Sequence, residues 1–245
     1  MPPKLKGKTP TSQNGPSFRV QSANTAQRPV GSVSVVKPAP RSSYTSRSNT
    51  VGFSGRNEME NYFESLLVLD RLDGLDAIGA KGIARLCEDL SIAKESFEMY
   101  TLIWKMGVNR GECIPRTDWL STMYIYKVEQ LLTLKMMLSE WVKEAKGTAF
   151  IEFYSHLYDF IRGEDARLMP TDKAVKAWGI LFEHDPRINS WIQWYSLVYM
   201  REVTRDVWCQ LGLFLSKVPN IESHRVVDKW SSAIDTYVEW YKSSQ

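Results

Sequence analysis

The chain has few of the residues that build metal and disulfide centres. It contains three cysteines, Cys87, Cys113 and Cys209, and three histidines among 245 residues. The odd number and wide spacing of the cysteines argue against a disulfide framework and are typical of a reducing compartment, so we expect a cytoplasmic or nuclear protein. No cysteine pairs with a histidine at metal-ligand spacing. The sequence therefore predicts no metal site.

The chain also lacks the short motifs that mark most catalytic sites. It has no nucleophile elbow, no phosphate-binding loop, no G-x-G-x-x-G fingerprint and no H-E-x-x-H pair. Asp and Glu are plentiful, but on helical segments such residues are usually a solvated face. We expect a protein that is not an enzyme, has no catalytic residue of its own and needs no cofactor.

Acidic residues are absent from the first 57 positions, which hold nine Lys or Arg residues, seven of the 11 prolines and no tryptophan. Because such a segment buries too little apolar surface to offset its conformational entropy, residues 1–57 are predicted to be a disordered, basic, Ser/Pro-rich tail. Of the 31 basic residues, 22 remain beyond it against 28 acids, a net charge of about −6. This acidic body favours a basic protein partner and makes nucleic-acid binding the weaker alternative.

No run is apolar and long enough to span a bilayer, and no signal-peptide core is visible, so we expect no membrane association. From about Glu58 onward, apolar residues recur at helical spacing. Two such stripes are Ile83, Leu86, Cys87 and Leu90, and Met99, Leu102, Ile103 and Met106. Alternating strand patterns are essentially absent. The sequence predicts an all-α domain over residues 58–245, with helical lobes at about 58–162 and 163–245, the second a helical bundle.

Two segments of the first lobe have the helix–loop–helix shape of paired EF-hands but lack calcium ligands. A loop that starts at Asp70 puts Lys81 at position 12, where calcium needs a bidentate acid. A second loop that starts at Gly107 has side-chain oxygens at only two of the ligand positions. Ile78 and Ile114 could form the short strand pair that joins such loops. We predict an EF-hand-like unit without calcium, and a calcium-binding protein is kept as an alternative.

Several motifs, in this order and spacing, carry a family resemblance. They are I-G-x-x-G-I-x-x-L-C-E-D-L at 78–90, I-W-K-M-G at 103–107, T-R-D-V-W at 204–208 and I-D-T-Y-V-E-W at 234–240. Together they resemble the potentiating-neddylation domain of the defective-in-cullin-neddylation family, over about residues 60–242. Some members carry an N-terminal ubiquitin-binding domain, which we do not expect here because the basic tail stands in its place.

The resemblance implies a scaffold without catalytic chemistry. Such proteins bind the C-terminal winged-helix domain of a cullin with one surface and the neddylation conjugating enzyme with another. Together with the RING protein of the cullin ligase, they promote transfer of the ubiquitin-like modifier to the cullin, through proximity and orientation. The alternative is a diverged helical peptide-binding adaptor with the same fold and no cullin docking.

The family's cullin-binding patch is acid–alanine–acid, and the resemblance places it on Asp206, Lys229 and Asp235. Lysine in the middle position brings positive charge towards a basic partner. Either the cognate cullin carries a compensating acid, or Lys229 extends aside, or the contact has been remodelled. A simpler explanation of Asp206 is an acid favoured by the dipole at a helix start. Nearby Trp208, Trp230 and Trp240 are predicted to be core anchors.

The resemblance also implies a hydrophobic pocket for the acetylated N-terminus of the conjugating enzyme. Acetylation removes a charge that would be costly to bury. The aligned positions are Ile83, Leu86, Met99, Leu102, Ile103, Met106, Val108 and Ile114 of the first lobe, with Phe160 and Ile180 from the second. For each of these residues, ordinary core packing is the competing explanation, and periodicity alone does not separate the two.

Overall fold

The computed structural model describes residues 54–109, 111–224 and 229–244. The predicted tail therefore lies outside the described residues up to position 53. The first helix begins at Ser54, four residues before the predicted start of the folded domain. No helix in these ranges is long and apolar enough to cross a membrane.

The all-α prediction is confirmed: the described residues form ten α-helices and one two-stranded sheet. The elements up to residue 146 are α1 (Ser54–Leu67), β1 (Ala77–Ile78), α2 (Ala80–Leu90), α3 (Phe97–Met106), β2 (Ile114–Pro115), α4 (Arg116–Ile125) and α5 (Leu131–Lys146). The remainder are α6 (Phe150–Arg162), α7 (Thr171–Leu181), α8 (Arg187–Trp194), a π-helical turn (Tyr195–Tyr199), α9 (Arg205–Lys217), a 3₁₀ turn (Ile221–Ser223) and α10 (Ser232–Ser243).

The predicted strand pair joins the two helix–loop–helix units of the first lobe. Ile78 of β1 lies opposite Ile114 of β2 in an antiparallel register, and both side chains are buried. The first loop uses its carboxylates for protein contacts: the Lys81 amide donates to Asp70 at 3.2 Å, and Arg116 Nε donates to Asp76 at 2.6 Å. The EF-hand-like character itself stays a prediction.

Helix α6 packs against α3 and α9 through neighbouring aromatic residues. Phe153 contacts the rings of Phe97 and Trp104 of α3, at centroid distances of 4.9 and 5.6 Å. The adjacent Tyr154 stacks on Trp208 of α9 at 4.5 Å and accepts a hydrogen bond from the Trp208 indole through its backbone carbonyl at 2.8 Å. Because α6 packs against both α3 and α9, it holds these two helices in one hydrophobic core.

Helix α9 approaches α6 closely because Gly212 has no side chain. A β-carbon at this position would lie 2.6 Å from the Tyr154 ring, well inside the usual contact distance. The Tyr154 phenol is fully buried and accepts a hydrogen bond from the Trp178 indole at 3.0 Å. Burial raises the pKa of Tyr154 well above its usual range. This packed aromatic layer fixes α9, whose first turn carries Asp206.

Candidate docking surface and peptide cavity

The start of α9 exposes the first of the two predicted acids. Thr204 caps the helix, with its hydroxyl oxygen accepting from the Val207 amide at 3.1 Å. The preceding residue, Val203, is buried and pairs with Met169 in an isolated β-bridge, so the segment that leads into α9 is anchored. Asp206 lies in the first turn with its side chain exposed. The helix dipole favours an acid here, and the exposed side chain can also reach a partner.

The start of α10 carries the second acid. Asp235 lies in the first turn, and its side chain is 36% exposed. Its Oδ1 lies 3.3 Å from Nε2 of His224, whose own side chain is 1% exposed. The His224 ring also packs edge-on against Phe214 of α9 at a centroid distance of 5.6 Å. A buried imidazole thus holds one oxygen of Asp235 from beneath while the rest of the carboxylate faces solvent.

Gln210 links the two helix starts. Its side-chain Nε2 donates to Asp206 Oδ1 at 2.8 Å, one turn back along α9. Its Oε1 accepts from the backbone amide of Ser231 at 2.5 Å, and Ser231 is the N-cap residue of α10. The structure therefore brings Asp206 and the helix that carries Asp235 together through one amide side chain.

Lys229, the middle residue of the predicted patch, is exposed and pairs with no residue that the structure describes. The next residue, Trp230, is half-buried and packs edge-on against Phe214 at 5.4 Å. Of the predicted anchors, Trp208 is fully buried, whereas Trp230 and Trp240 are partly buried against the core. Anchoring by Trp230 leaves Lys229 beside the start of α10, close in sequence to Asp235.

A second candidate site is a cavity of about 320 Å³ between α2, α3, α6 and α7. Three of the ten predicted pocket residues line it: Ile83, Met99 and Phe160. Further apolar wall comes from Tyr100 and Ile161. Burial raises the pKa of Tyr100 to about 12, and Glu95 adds to the shift, so its hydroxyl stays protonated under neutral conditions. The inner wall is thus apolar and uncharged.

The mouth of this cavity is charged but balanced, since Lys94, Lys173, Lys176, Glu95, Glu112 and Asp172 all contribute to its lining. Lys173 pairs with Glu112 at 3.0 Å, and Lys176 approaches Glu95 at 3.7 Å. Both pairs are well exposed, so each adds little to stability. They connect α7 to Glu112 and Glu95 across the opening, so these two acids are already paired with lysines.

The other predicted pocket residues lie elsewhere. Six of them are core residues, each at most 5% exposed, and do not line this cavity: Leu86, Leu102, Ile103, Met106, Val108 and Ile114. Ile180 lines a different cavity, of about 660 Å³, together with Phe97, Phe150 and Phe182. The structure therefore gathers three of the ten residues into one cavity and places the other seven outside it.

Sequence reasoning missed two residues that touch the predicted acids. Gln210 has a local signal, because it follows Asp206 by four positions on a helix and such pairs are neighbours. The contact of His224 with Asp235 has no comparable signal. It depends on the 3₁₀ turn that brings His224 beneath the start of α10.

Comparison with known proteins finds relatives of this chain. Residues 133–240, which run from α5 into α10, match the family model described as cullin binding. DCN1-like protein 2 of Dictyostelium discoideum is 22% identical over 201 residues, covering 79% of this chain and 75% of that protein. Human DCN1-like protein 4 is 25% identical over 176 residues, covering 69% of this chain and 59% of that protein.

A shorter match is more similar: Defective in cullin neddylation protein 1 of Yarrowia lipolytica is 34% identical over 100 residues, or 38% of this chain and 40% of that protein. The helical fold and the matched second half define the class of protein, an all-α domain related to cullin-binding domains. The resemblance to the defective-in-cullin-neddylation family that was drawn from the motifs is thereby confirmed.

Proposed function

We propose that this protein is a non-catalytic accessory ligase scaffold. It binds the C-terminal winged-helix domain of a cullin with the starts of α9 and α10, and it binds the neddylation conjugating enzyme at the cavity beside α3. Together with the RING protein of the ligase, it promotes transfer of the modifier to the cullin. The observation that carries the proposal is the pair of acids, Asp206 and Asp235, on two helix starts that Gln210 links, within the region that matches cullin-binding domains.

The charge on these acids is available to a basic partner. Within the described residues, no Lys or Arg side chain pairs with either Asp206 or Asp235. A cullin surface rich in Lys or Arg would gain complementary contacts without first breaking an internal salt bridge with an Arg or a Lys. Such complementarity acts mainly on the association rate and on the orientation of docking.

Lys229 sets the specificity of this surface in the proposal. Its side chain is exposed near the start of α10 and has no partner among the described residues, so it repels a uniformly basic surface. A cullin that presents an acid opposite Lys229 gains a contact, and one that presents another base loses affinity.

The cavity suits an acetylated N-terminal residue. Its inner wall is apolar, and burying an unpaired ammonium group against such a wall is costly, whereas an acetylated amide needs one or two hydrogen bonds. Ile83, Met99 and Phe160 supply contact for a long aliphatic or thioether side chain. Simultaneous binding of the cullin and the conjugating enzyme would raise the effective concentration of the modifier-loaded enzyme near the cullin lysine.

The cullin surface is tested by charge reversal. Cullin modification by the conjugating enzyme and RING protein is measured with no added protein, with the wild type, and with Asp206→Arg or Asp235→Arg. We expect the wild type to accelerate modification and each reversal to reduce cullin affinity by tenfold or more, since like charges now face each other. Wild-type acceleration that persists in both variants would show the surface assignment to be wrong.

Asp118→Arg is the matched control, because Asp118 is also an acid in the first turn of a helix, α4. It removes the same favourable interaction with the helix dipole at a distant site. We expect this variant to retain wild-type acceleration. Equal loss in Asp118→Arg would mean that the reversals act through helix stability.

The cavity is tested with peptides from the N-terminus of the conjugating enzyme. We expect the acetylated peptide to bind at least about tenfold more tightly than its free-amine form, because only the latter buries a charge. Equal affinities would remove the cavity from the proposal and leave cullin docking unaffected.

A peptide-binding adaptor without cullin docking is the second candidate, and it is favoured by Lys229, which has no partner among the residues that the structure describes. The two candidates differ in one result: the adaptor binds the acetylated peptide but does not capture the C-terminal domain of any cullin from the same organism. The accessory ligase does both.

A further inference from the structure

The two acids of the docking surface lie on different helices, and one neutral side chain joins those helices at the surface. Gln210 donates to Asp206 and accepts from the Ser231 amide, so both polar ends of its amide are in use. On the far side, the buried His224 contacts Asp235. Neither contact brings a Lys or Arg side chain to an acid.

We propose that Gln210 is a positioning residue of the docking surface, one that fixes Asp206 relative to the start of α10 without neutralising its charge. This inference rests on the proposed function and deepens it, because it assigns how the two acids are held at the spacing that a basic partner meets. Gln210 itself is half-buried and need not touch the partner.

The choice of an amide has a physical reason. A lysine at position 210 could also reach Asp206 one turn away, but it would pair with the carboxylate and compete with the incoming cation. The amide donates one N–H to the carboxylate, which orients it and leaves the second oxygen and the full charge for the partner. A side chain already ordered in the free protein does not add its ordering cost to binding.

The second hydrogen bond of Gln210 distinguishes positioning from a chance contact along one helix. Asp206 and Gln210 are four residues apart on α9, so they would be neighbours even without any contact with α10. The bond to the Ser231 amide ties this pair to the N-cap of α10, whose own first turn holds Asp235. The two acids therefore share one hydrogen-bonded frame.

Three variants separate the two bonds. Gln210→Met keeps the side-chain length and removes both hydrogen bonds, and Asp206→Asn removes the charge that Gln210 holds. Ser231→Pro removes the amide donor and leaves the bond between Gln210 and Asp206. The backbone φ of Ser231 is −66°, which suits proline, and its buried hydroxyl has no partner within the described residues, so its loss is not costly.

The main experiment measures the affinity of the full chain for the C-terminal domain of its cullin, with thermal unfolding of each variant alongside. We expect Gln210→Met to weaken binding about three- to tenfold, the ordering cost of one long side chain. We expect Ser231→Pro to weaken it less, with a somewhat lower Tm because the hydrogen bond donated by the Ser231 amide is lost. In the Asp206→Asn background, Gln210→Met should have no further effect, because the group that it positions is already altered.

Unchanged affinity of Gln210→Met, or an equal loss with and without Asp206→Asn, would overturn the inference, since a merely structural role gives additive losses. If the wild type binds no cullin, the proposed function fails, but the role of Gln210 can still be tested by NMR of the protein alone. In NMR spectra, the side-chain amide protons of Gln210 should shift in both Asp206→Asn and Ser231→Pro. Amide signals that are insensitive to both changes would overturn the inference independently of any cullin.

Discussion

The docking surface at α9 and α10 and the cavity beside α3 differ in how the chain builds them. The surface uses a few polar side chains that face solvent, and the structure places all three predicted residues at or next to the two helix starts. The cavity uses apolar side chains, and of ten predicted residues it gathers three. The same resemblance supplied both sets, so the difference lies in the chemistry of the residues.

The comparison teaches that exposed charge is a more specific signal than an apolar stripe. An acid on a helix start is rarely buried, so its position on the surface follows from its type. An apolar residue on a helix faces other apolar residues both in a packed core and in the wall of a cavity. The distinction depends on a gap of a few ångströms between helices, which periodicity does not report.

The largest expected effect tests the core assignment of residues that were predicted to line the pocket. Leu86→Ala should lower the free energy of unfolding by about 2–5 kcal/mol, because it removes a fully buried side chain and leaves a void. Chemical denaturation measures this loss. If the free energy of unfolding falls by less than about 1 kcal/mol and the acetylated peptide binds more weakly, Leu86 lines the cavity and the core assignment is wrong.

Phe160→Ala tests the cavity wall directly. Phe160 is half-buried and lines the cavity beside Ile83, so its removal should weaken binding of the acetylated peptide about tenfold, or 1.4 kcal/mol. Ile180→Ala is the matched control, since Ile180 is also half-buried but lines the other cavity. Calorimetric titration of both variants would contradict the assignment if Ile180→Ala gave the larger loss.

Alkaline unfolding tests whether the cavity wall excludes water at Tyr100. Burial raises the pKa of Tyr100 to about 12, above the usual value of about 10 in an unfolded chain. Between these values the unfolded chain loses its proton first, so stability that is fully present below pH 10 falls as the pH rises towards 12. Tyr100→Phe should remove this pH-dependent loss of stability, which is about 1 kcal/mol at pH 11.

The measurement is the difference in unfolding free energy between wild type and Tyr100→Phe at pH 7 and again at pH 11. Any effect of losing the hydroxyl itself is present at both values and cancels. If the two differences are equal, the phenol titrates alike in both states and the cavity wall is not dry.

The smallest expected effect concerns Lys229. Because the exposed Lys229 side chain near the start of α10 brings positive charge towards a basic partner, Lys229→Ala should raise the affinity for a basic cullin surface about two- to fivefold at low salt. The gain should shrink as salt is added, since the groups are exposed and their interaction is screened. Lower affinity after this change would show instead that the cullin presents an acid to Lys229.

Much of the fold could be predicted from residue types and local spacing. The helical stripes and the pairing of Ile78 with Ile114 are confirmed, because each depends on contacts close in sequence or on a recurring loop geometry. The links that complete the docking surface could not be predicted in the same way. His224 meets Asp235, and Gln210 meets Ser231, only because the chain folds back between α9 and α10.

The sequence by itself determined the helical class, the family and the exposed acids, since these follow from hydrophobic period, motif order and the cost of burying charge. Tertiary structure decided which apolar residues became core and which became cavity wall, because that depends on how closely neighbouring helices approach. It also decided that the helix starts that carry Asp206 and Asp235 are linked by hydrogen bonds. Hydrogen bonds between distant segments impose that arrangement, and no local pattern in the chain encodes them.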